Sequence, residues 1–259
     1  MAAEASPQLT HSEEAIIAKA YDGLSGYVQK MTEKAYRLAS DALTENPTVD
    51  QLVDLAAAVE QAIDNQVFRF AGKLEVLHQQ GVSPTIACSK GCAYCCGTQI
   101  MATVPEVLRL AKWINENFST EEIQALRQRL AAFNAKVRAI KESGGPRPPI
   151  DCAILMDDSC SAHPGRPIAC RGANSVNVGA CIKARENWQD ESLNIPLVGQ
   201  PYYASKSMVR GVRDAMKDRG LPSPIIEMPF GLEVVLNDPM AGEKFLAGEP
   251  VFDGGLIEA

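Results

Sequence analysis

All eight cysteines of this 259-residue chain fall between Cys88 and Cys181, so residues 1–87 and 182–259 carry none. The first group reads Cys88-Ser-Lys-Gly-Cys92-Ala-Tyr-Cys95-Cys96, four thiols within nine residues. A short loop of this kind can turn several sulfurs toward one point, and thiolates are soft donors suited to zinc, copper(I) and iron–sulfur clusters. The second group is Cys152, Cys160, Cys170 and Cys181, at gaps of 8, 10 and 11. Residues 152–181 hold Gly, Pro, Ser and Asn at many positions and have no clean apolar period. Such a segment should be irregular, and it stays ordered only if something besides a hydrophobic core holds it. The adjacent pair Cys95-Cys96 is awkward for one site, because neighbouring side chains diverge in regular structure. Either the backbone turns sharply at Gly97 or the two thiolates serve different metals.

Two plainer uses of cysteine have to be weighed. Eight thiols could make four disulfides in 105 pairings. The chain is long enough to fold without them, and its first residues, MAAEASPQLTHSEEA, show neither a basic n-region nor an apolar h-region. A reducing, cytoplasmic location is therefore expected, where disulfides are rare. Buried, unreactive thiols explain one or two cysteines but not a C-x3-C-x2-C-C run. Net charge is −7, from 25 basic and 32 acidic residues without a Lys/Arg block, which disfavours nucleic acid or anionic lipid as partners. No stretch approaches the roughly 18 uncharged apolar residues of a membrane span.

The flanking arms read as helices. Ile17, Tyr21, Leu24, Val28, Met31, Ala35, Leu38 and Ala42 recur at helical spacing, and Asn46-Pro47 ends the run. Thr48 with Gln51 forms a capping box for a second stripe, Leu52, Ala56, Val59, Ile63, Val67, Phe70 and Leu74, with Gly81 as its stop. The two stripes are expected to pack on each other and on the cysteine region as a helical hairpin, through which a homodimer is one option. VPEVLRLAKWINENF at 104–118 has Pro105 in its first turn. Ser119-Thr-Glu-Glu122 opens a further helix bearing Ile123, Leu126, Leu130, Phe133 and Val137, and GGPRPP at 144–149 forms a connector. A helix over 202–219, short helices at 230–236 and 241–246, and a loose tail from Asp253 complete the chain.

C-x3-C-x2-C with an aromatic before the last Cys resembles the motif of radical S-adenosylmethionine enzymes. In that family the motif follows the first strand of a partial α/β barrel. Here helices precede it, strand–helix alternation is missing after it, and Gly144-Gly145 is not followed by Glu. Over residues 85–185 the chain resembles instead the CxxCxxCC or YkgJ-type cysteine-cluster family, described as a zinc- or iron-chelating domain. The resemblance rests on Cys88, Gly91-Cys92, Cys95-Cys96, Cys152-Ala-Ile-Leu155, Cys160, Arg166-Pro167, Cys170-Arg171 and Cys181. His163 departs from the family, many members of which carry an aromatic there, and is a ninth ligand candidate beside an ordinary loop role. The same segment is similar to the cysteine region of flagellin lysine methylases, which brings in protein lysine methylation by analogy.

The resemblance implies a metal, iron–sulfur or zinc. Arg166 and Arg171 would balance the negative charge of thiolates around it, or else pin an irregular loop; Lys90 could serve the same balancing role or be a solvated loop residue. Asp157-Asp158 reads as a turn. The expected fold is mainly α, with helical arms around an irregular cysteine-rich metal-binding centre: a hairpin at 1–82, the cysteine region at 83–185 and a C-terminal arm at 186–259. The expected function is binding of an iron–sulfur cluster, [4Fe–4S], through Cys88, Cys92, Cys95, Cys96, Cys152, Cys160, Cys170 and Cys181. Four cysteines saturate one such cluster, and the other four could hold a second cluster or a zinc. The alternatives are a zinc-binding structural or interaction module and a metal-dependent group-transfer or redox enzyme.

Overall fold

In the computed structural model of the protein, residues 11–257 are described, with side chains from residue 23 onward. The chain is mainly α. Two long helices come first, α1 (His11–Ala42) and α2 (Val49–Gln79). The capping box at Thr48 forms as its sequence requires: the Thr48 hydroxyl accepts from Gln51 N–H, and the Gln51 side chain accepts from Thr48 N–H. Gly81, at φ +72, follows the end of α2. The positions Ile17 and Tyr21 of the first apolar stripe lie outside the described side chains.

The hairpin expectation needs a correction. Tyr27 donates to Gln66 (3.3 Å) and meets Phe70 edge-on, so α1 and α2 do touch. The long partner of α1, however, is α7 (Gly199–Asp218), which follows it by more than 150 residues. Gly211 makes the crossing close: a Cβ there would stand 2.1 Å from the Thr32 carbonyl oxygen. The two helices are also tied by Tyr36 donating to Asp218 (2.7 Å) and by Arg219 donating to the Ser40 carbonyl (2.8 Å). This partner rotates the buried face of α1 to Met31, Ala35, Ala39 and Leu43, leaving Leu38 and Ala42 at its edge. α2 buries Leu52, Ala56, Val59 and Ile63 of its expected stripe, and Val53, Leu55 and Ala62 besides, while Val67, Phe70 and Leu74 at its far end are half-buried.

After the cysteine loop come β1 (Met101–Thr103), α3 (Val104–Asn117) and α4 (Thr120–Ser143). Capping boxes Thr103/Glu106 and Ser119/Glu122 start the two helices, and Gly144 in the left-handed region ends α4. The connector behind it is anchored where Arg147 pairs with the buried carboxylate of Glu227 (2.6 Å). The next elements are the short strands β2 (Leu155–Met156) and β3 (Ser159–Cys160) and the helices α5 (Ile168–Gly172) and α6 (Val178–Glu186). The segment 152–181 is thus less irregular than its sequence suggests. Asn177 caps α6 by accepting from Ala180 N–H (3.0 Å).

The chain ends through α7, β4 (Ile225–Glu227), α8 (Met228–Asn237) and α9 (Ala241–Leu246). β1 and β4 pair antiparallel, Met101 opposite Glu227, and each runs straight into a helix with proline in its first turn. This small sheet has no periodic signal, because three-residue strands are too short to show alternation. The tail is a second correction. Phe252 is buried, Ile257 N–H donates to the Ile225 carbonyl (3.0 Å), and Gly255 leaves room for the Phe230 ring, so the tail docks on β4. One buried apolar cluster draws on α1, α2, α3, α4, α7, α8 and α9 together. Among the described residues no helix is long and apolar enough to cross a membrane.

Candidate metal centre

The first cysteine loop is folded by its own backbone. Gly91 at φ +87 allows the turn that lets Cys92 N–H donate to the Ser89 carbonyl (3.1 Å). A single 3-10 turn, Tyr94–Gly97, then carries Cys95 and Cys96. It is held where Thr98 donates from its hydroxyl to the Cys95 carbonyl (2.8 Å). Gly97 leaves room for its neighbours: a Cβ would stand 2.6 Å from the Arg185 guanidinium and 3.1 Å from Pro149, so the arginine side chain would have to shift. The second group docks beside this turn, as Ile150 N–H donates to the Gly97 carbonyl and Cys152 N–H to the Cys96 carbonyl, both at 3.0 Å.

β2 and β3 form a two-residue hairpin that sets Cys160 opposite Leu155. Its turn residues Asp157 (φ 48) and Asp158 (φ 56) both lie in the left-handed region, the type I′ pattern in which Asp-Gly is strongly preferred. Replacing Asp158 by Gly is therefore expected to raise unfolding free energy by about 0.5–1 kcal/mol in urea titration. A loss of stability would show that the Asp158 side chain makes a contact worth more than the strain.

Seven of the eight thiols line one cavity of about 630 Å³: Cys88, Cys92, Cys95, Cys96, Cys152, Cys160 and Cys170. Lys90, Arg166 and His163 share its wall, and Ile100, Leu110, Ile154 and Met228 supply apolar lining. Cys181 lies outside that lining, on α6, where its Sγ donates to the Asn177 carbonyl (3.4 Å). All eight are free thiols. Among the described residues, no three His, Cys, Asp or Glu side chains converge as a site for a single ion. The lining thiols are spread around a space rather than drawn to a point.

Five of these thiols, Cys88, Cys95, Cys152, Cys160 and Cys170, are raised above the ordinary thiol pKa. Burial pushes Cys152 up to about 12 and also raises Cys160 and Cys170. Cys95 is raised first by its hydrogen bond to the Cys96 thiol and then by burial. Cys88 is raised by burial, against a Ser175 N–H that donates to its sulfur (3.2 Å) and favours the thiolate; the charges of Cys92, Cys95 and Cys181 add to the rise. A ligand that takes these groups as thiolates must displace protons to do so.

The two arginines separate in role. Arg166 faces the cavity, where its positive charge favours the thiolates of Cys95, Cys160 and Cys170. It donates from Nη1 to Nε2 of His163 (2.5 Å), while its buried Nε has no hydrogen-bond partner among the described residues. His163 is held below its usual pKa by burial and by Arg166, which suits a neutral ring accepting that bond. Arg171 points away. It pairs with Asp64 (2.5 Å) and Glu60 (3.0 Å) on α2 and donates to the Arg166 carbonyl (2.8 Å) and the Pro164 carbonyl. It pins the cysteine-bearing loop to the helical body.

Sequence reasoning missed the partners of that pin. Glu106 closes the cap of α3 with one oxygen, and its second oxygen accepts from Ile168 N–H (2.9 Å), at the start of the helix that carries Cys170. Glu60 looks like one more acid on α2 and is buried beneath Arg171. Ser175, which ties Cys88 to the segment before α6, has no pattern that would single it out.

No family model, curated protein or solved structure matches the chain. The fold and the site define a mainly helical protein with a multi-thiol cavity between its helices and loops. The chain enters the first motif from α2, and the described strands form two sheets of two strands each, so the architecture lends nothing to a radical S-adenosylmethionine barrel.

Proposed function

We propose that this protein is a cysteine-ligated metalloprotein whose cavity binds an iron–sulfur cluster of the [4Fe–4S] type. The observation that carries the reading is the lining of one cavity of about 630 Å³ by seven free thiols drawn from two distant stretches of chain. Thiolates ligate iron–sulfur clusters, and a core of several atoms suits donors spread around a space better than a lone ion does. Arg166 and Lys90 place positive charge at the wall, which favours an anionic occupant. The resemblance to the YkgJ-type cysteine-cluster family points to the same donors. Bound there, such a cluster supplies one-electron redox chemistry or a structural clamp for the loops.

The test is the metal and acid-labile sulfide content of protein purified without air, with a visible spectrum of the same sample. Iron and sulfide in equal amounts, with broad absorption that bleaches on reduction, are expected. Zinc in whole-number stoichiometry without sulfide would overturn the cluster and make the centre a structural zinc module.

A further inference from the structure

Besides the thiols, the cavity is lined by Lys90, Asp158, His163 and Arg166. Lys90 and Asp158 are opposite in sign and both exposed, so water and salt screen each of them. His163 is held below its usual pKa by burial and by Arg166, which suits a neutral ring. Arg166 is half-buried and permanently charged. Arg171, five residues on, spends its charge on Glu60 and Asp64, whereas Arg166 donates to the neutral His163 ring and keeps its charge for the cavity. That charge favours the thiolates of Cys95, Cys160 and Cys170, which come from both stretches of chain.

The position of Arg166 is fixed at both ends. Its carbonyl accepts from Arg171 Nε (2.8 Å), and its Nη1 donates to His163 Nε2 (2.5 Å). His163 opens a 3-10 turn, His163–Gly165, that packs closely on α3: a Cβ at Gly165 would stand 3.1 Å from Trp113. We propose that Arg166 sets the reduction potential of the centre and that His163 is its positioning residue rather than a metal ligand. The assignment rests on the reading of the cavity as an iron–sulfur site and names what tunes it. Reduction adds one electron, and so one negative charge, to a core that its thiolates already leave anionic. A fixed guanidinium beside those sulfurs favours the reduced form and raises the potential, since net charge is one of the terms that set cluster potentials. Without an acceptor at position 163, the guanidinium turns toward water and its charge is screened.

The experiment is a midpoint-potential titration with dithionite as the electron donor. It compares full-length wild type with Arg166→Met, His163→Phe, His163→Gln and Lys90→Met, all purified without air, with iron and sulfide counted per chain. Arg166→Met is expected to keep its iron and to lower the reduction equilibrium constant about tenfold, about 59 mV more negative for one electron. His163→Phe is expected to shift in the same direction by less, because the charge moves away but is not removed. His163→Gln, whose side-chain carbonyl accepts the same bond, is expected to return near the wild-type potential. Lys90→Met, which removes an exposed charge, is expected to shift less than Arg166→Met. A wild-type potential in Arg166→Met, or an equal shift in Lys90→Met, overturns the proposal. Loss of iron from both His163 variants would make His163 a ligand and overturn its positioning role. Should Arg166→Met lose its iron, the His163 pair decides: a lowered potential in the Phe variant with recovery in the Gln variant upholds the proposal, and equal potentials overturn it. A wild type without iron and sulfide overturns the cluster reading, and this proposal with it.

Discussion

Arg171→Met is expected to destabilise the protein by about 3–5 kcal/mol, the cost typical of removing one partner from a buried ion pair. Arg171 is 6% exposed and satisfies Glu60, Asp64 and two loop carbonyls at once. Methionine keeps much of the volume but leaves the Glu60 carboxylate buried, with Oε1 already lacking a partner and Arg109 at 4.0 Å as its remaining cation. The pH dependence adds a signature. Burial raises Glu60 from 4.5 to about 7, against the pull of Arg171 and Arg109. A carboxyl whose pKa is higher folded than unfolded stabilises the fold below its unfolded value, and that contribution is lost as pH rises through the folded value. In the wild type this loss should run from about 4.5 to about 7. In Arg171→Met it should extend to higher pH, because the strongest counter-charge is gone. Urea titrations at pH 5, 7 and 8.5 measure it; a difference between the proteins under 1 kcal/mol at every pH would show that the pin holds nothing.

Gly211→Ala is expected to cost about 2 kcal/mol, although alanine is the better helix former. Intrinsic propensity favours Ala over Gly by about 1 kcal/mol in a helix interior. At position 211 the new methyl would meet the Thr32 carbonyl at 2.1 Å and the Tyr36 amide at 2.9 Å, both backbone atoms that cannot rotate aside. Forced overpacking costs about 1–3 kcal/mol, and a contact this short belongs at the upper end, so it outweighs propensity. The control is Gly72→Ala on α2, where nothing stands within 4 Å of the added methyl. There propensity acts alone, and a gain of about 1 kcal/mol is expected. Thermal melts of both variants decide it. If Gly211→Ala melts as high as Gly72→Ala, α1 and α7 are not in the tight contact described.

Local signals were legible. The capping boxes at Thr48 and Ser119 each place a hydroxyl three residues before a Gln or Glu, and such pairs close within one turn of helix whatever surrounds them. The concentration of thiols between Cys88 and Cys181, and the turn at Asp157-Asp158, are likewise properties of neighbouring residues. Mainly helical content followed from period and caps. What the sequence determined by itself is therefore the set of elements and the chemistry they carry.

Partner choice was not legible. The apolar stripe of α1 fits α2 or α7 about equally by pattern, and the close approach at Gly211 selects α7. Arg171 has the same one-dimensional signature as Arg166, a cation near a cysteine. Glu60 and Asp64, more than 100 residues upstream, draw it away from the cavity, while Arg166 stays at the wall. The tertiary structure alone decided which thiols share a space, since seven of them meet around one cavity from stretches that α3 and α4 separate. Spacing along a chain constrains only what a short loop can bring together; contacts across long separations depend on shape and on burial of charge, which exist once the helices have packed.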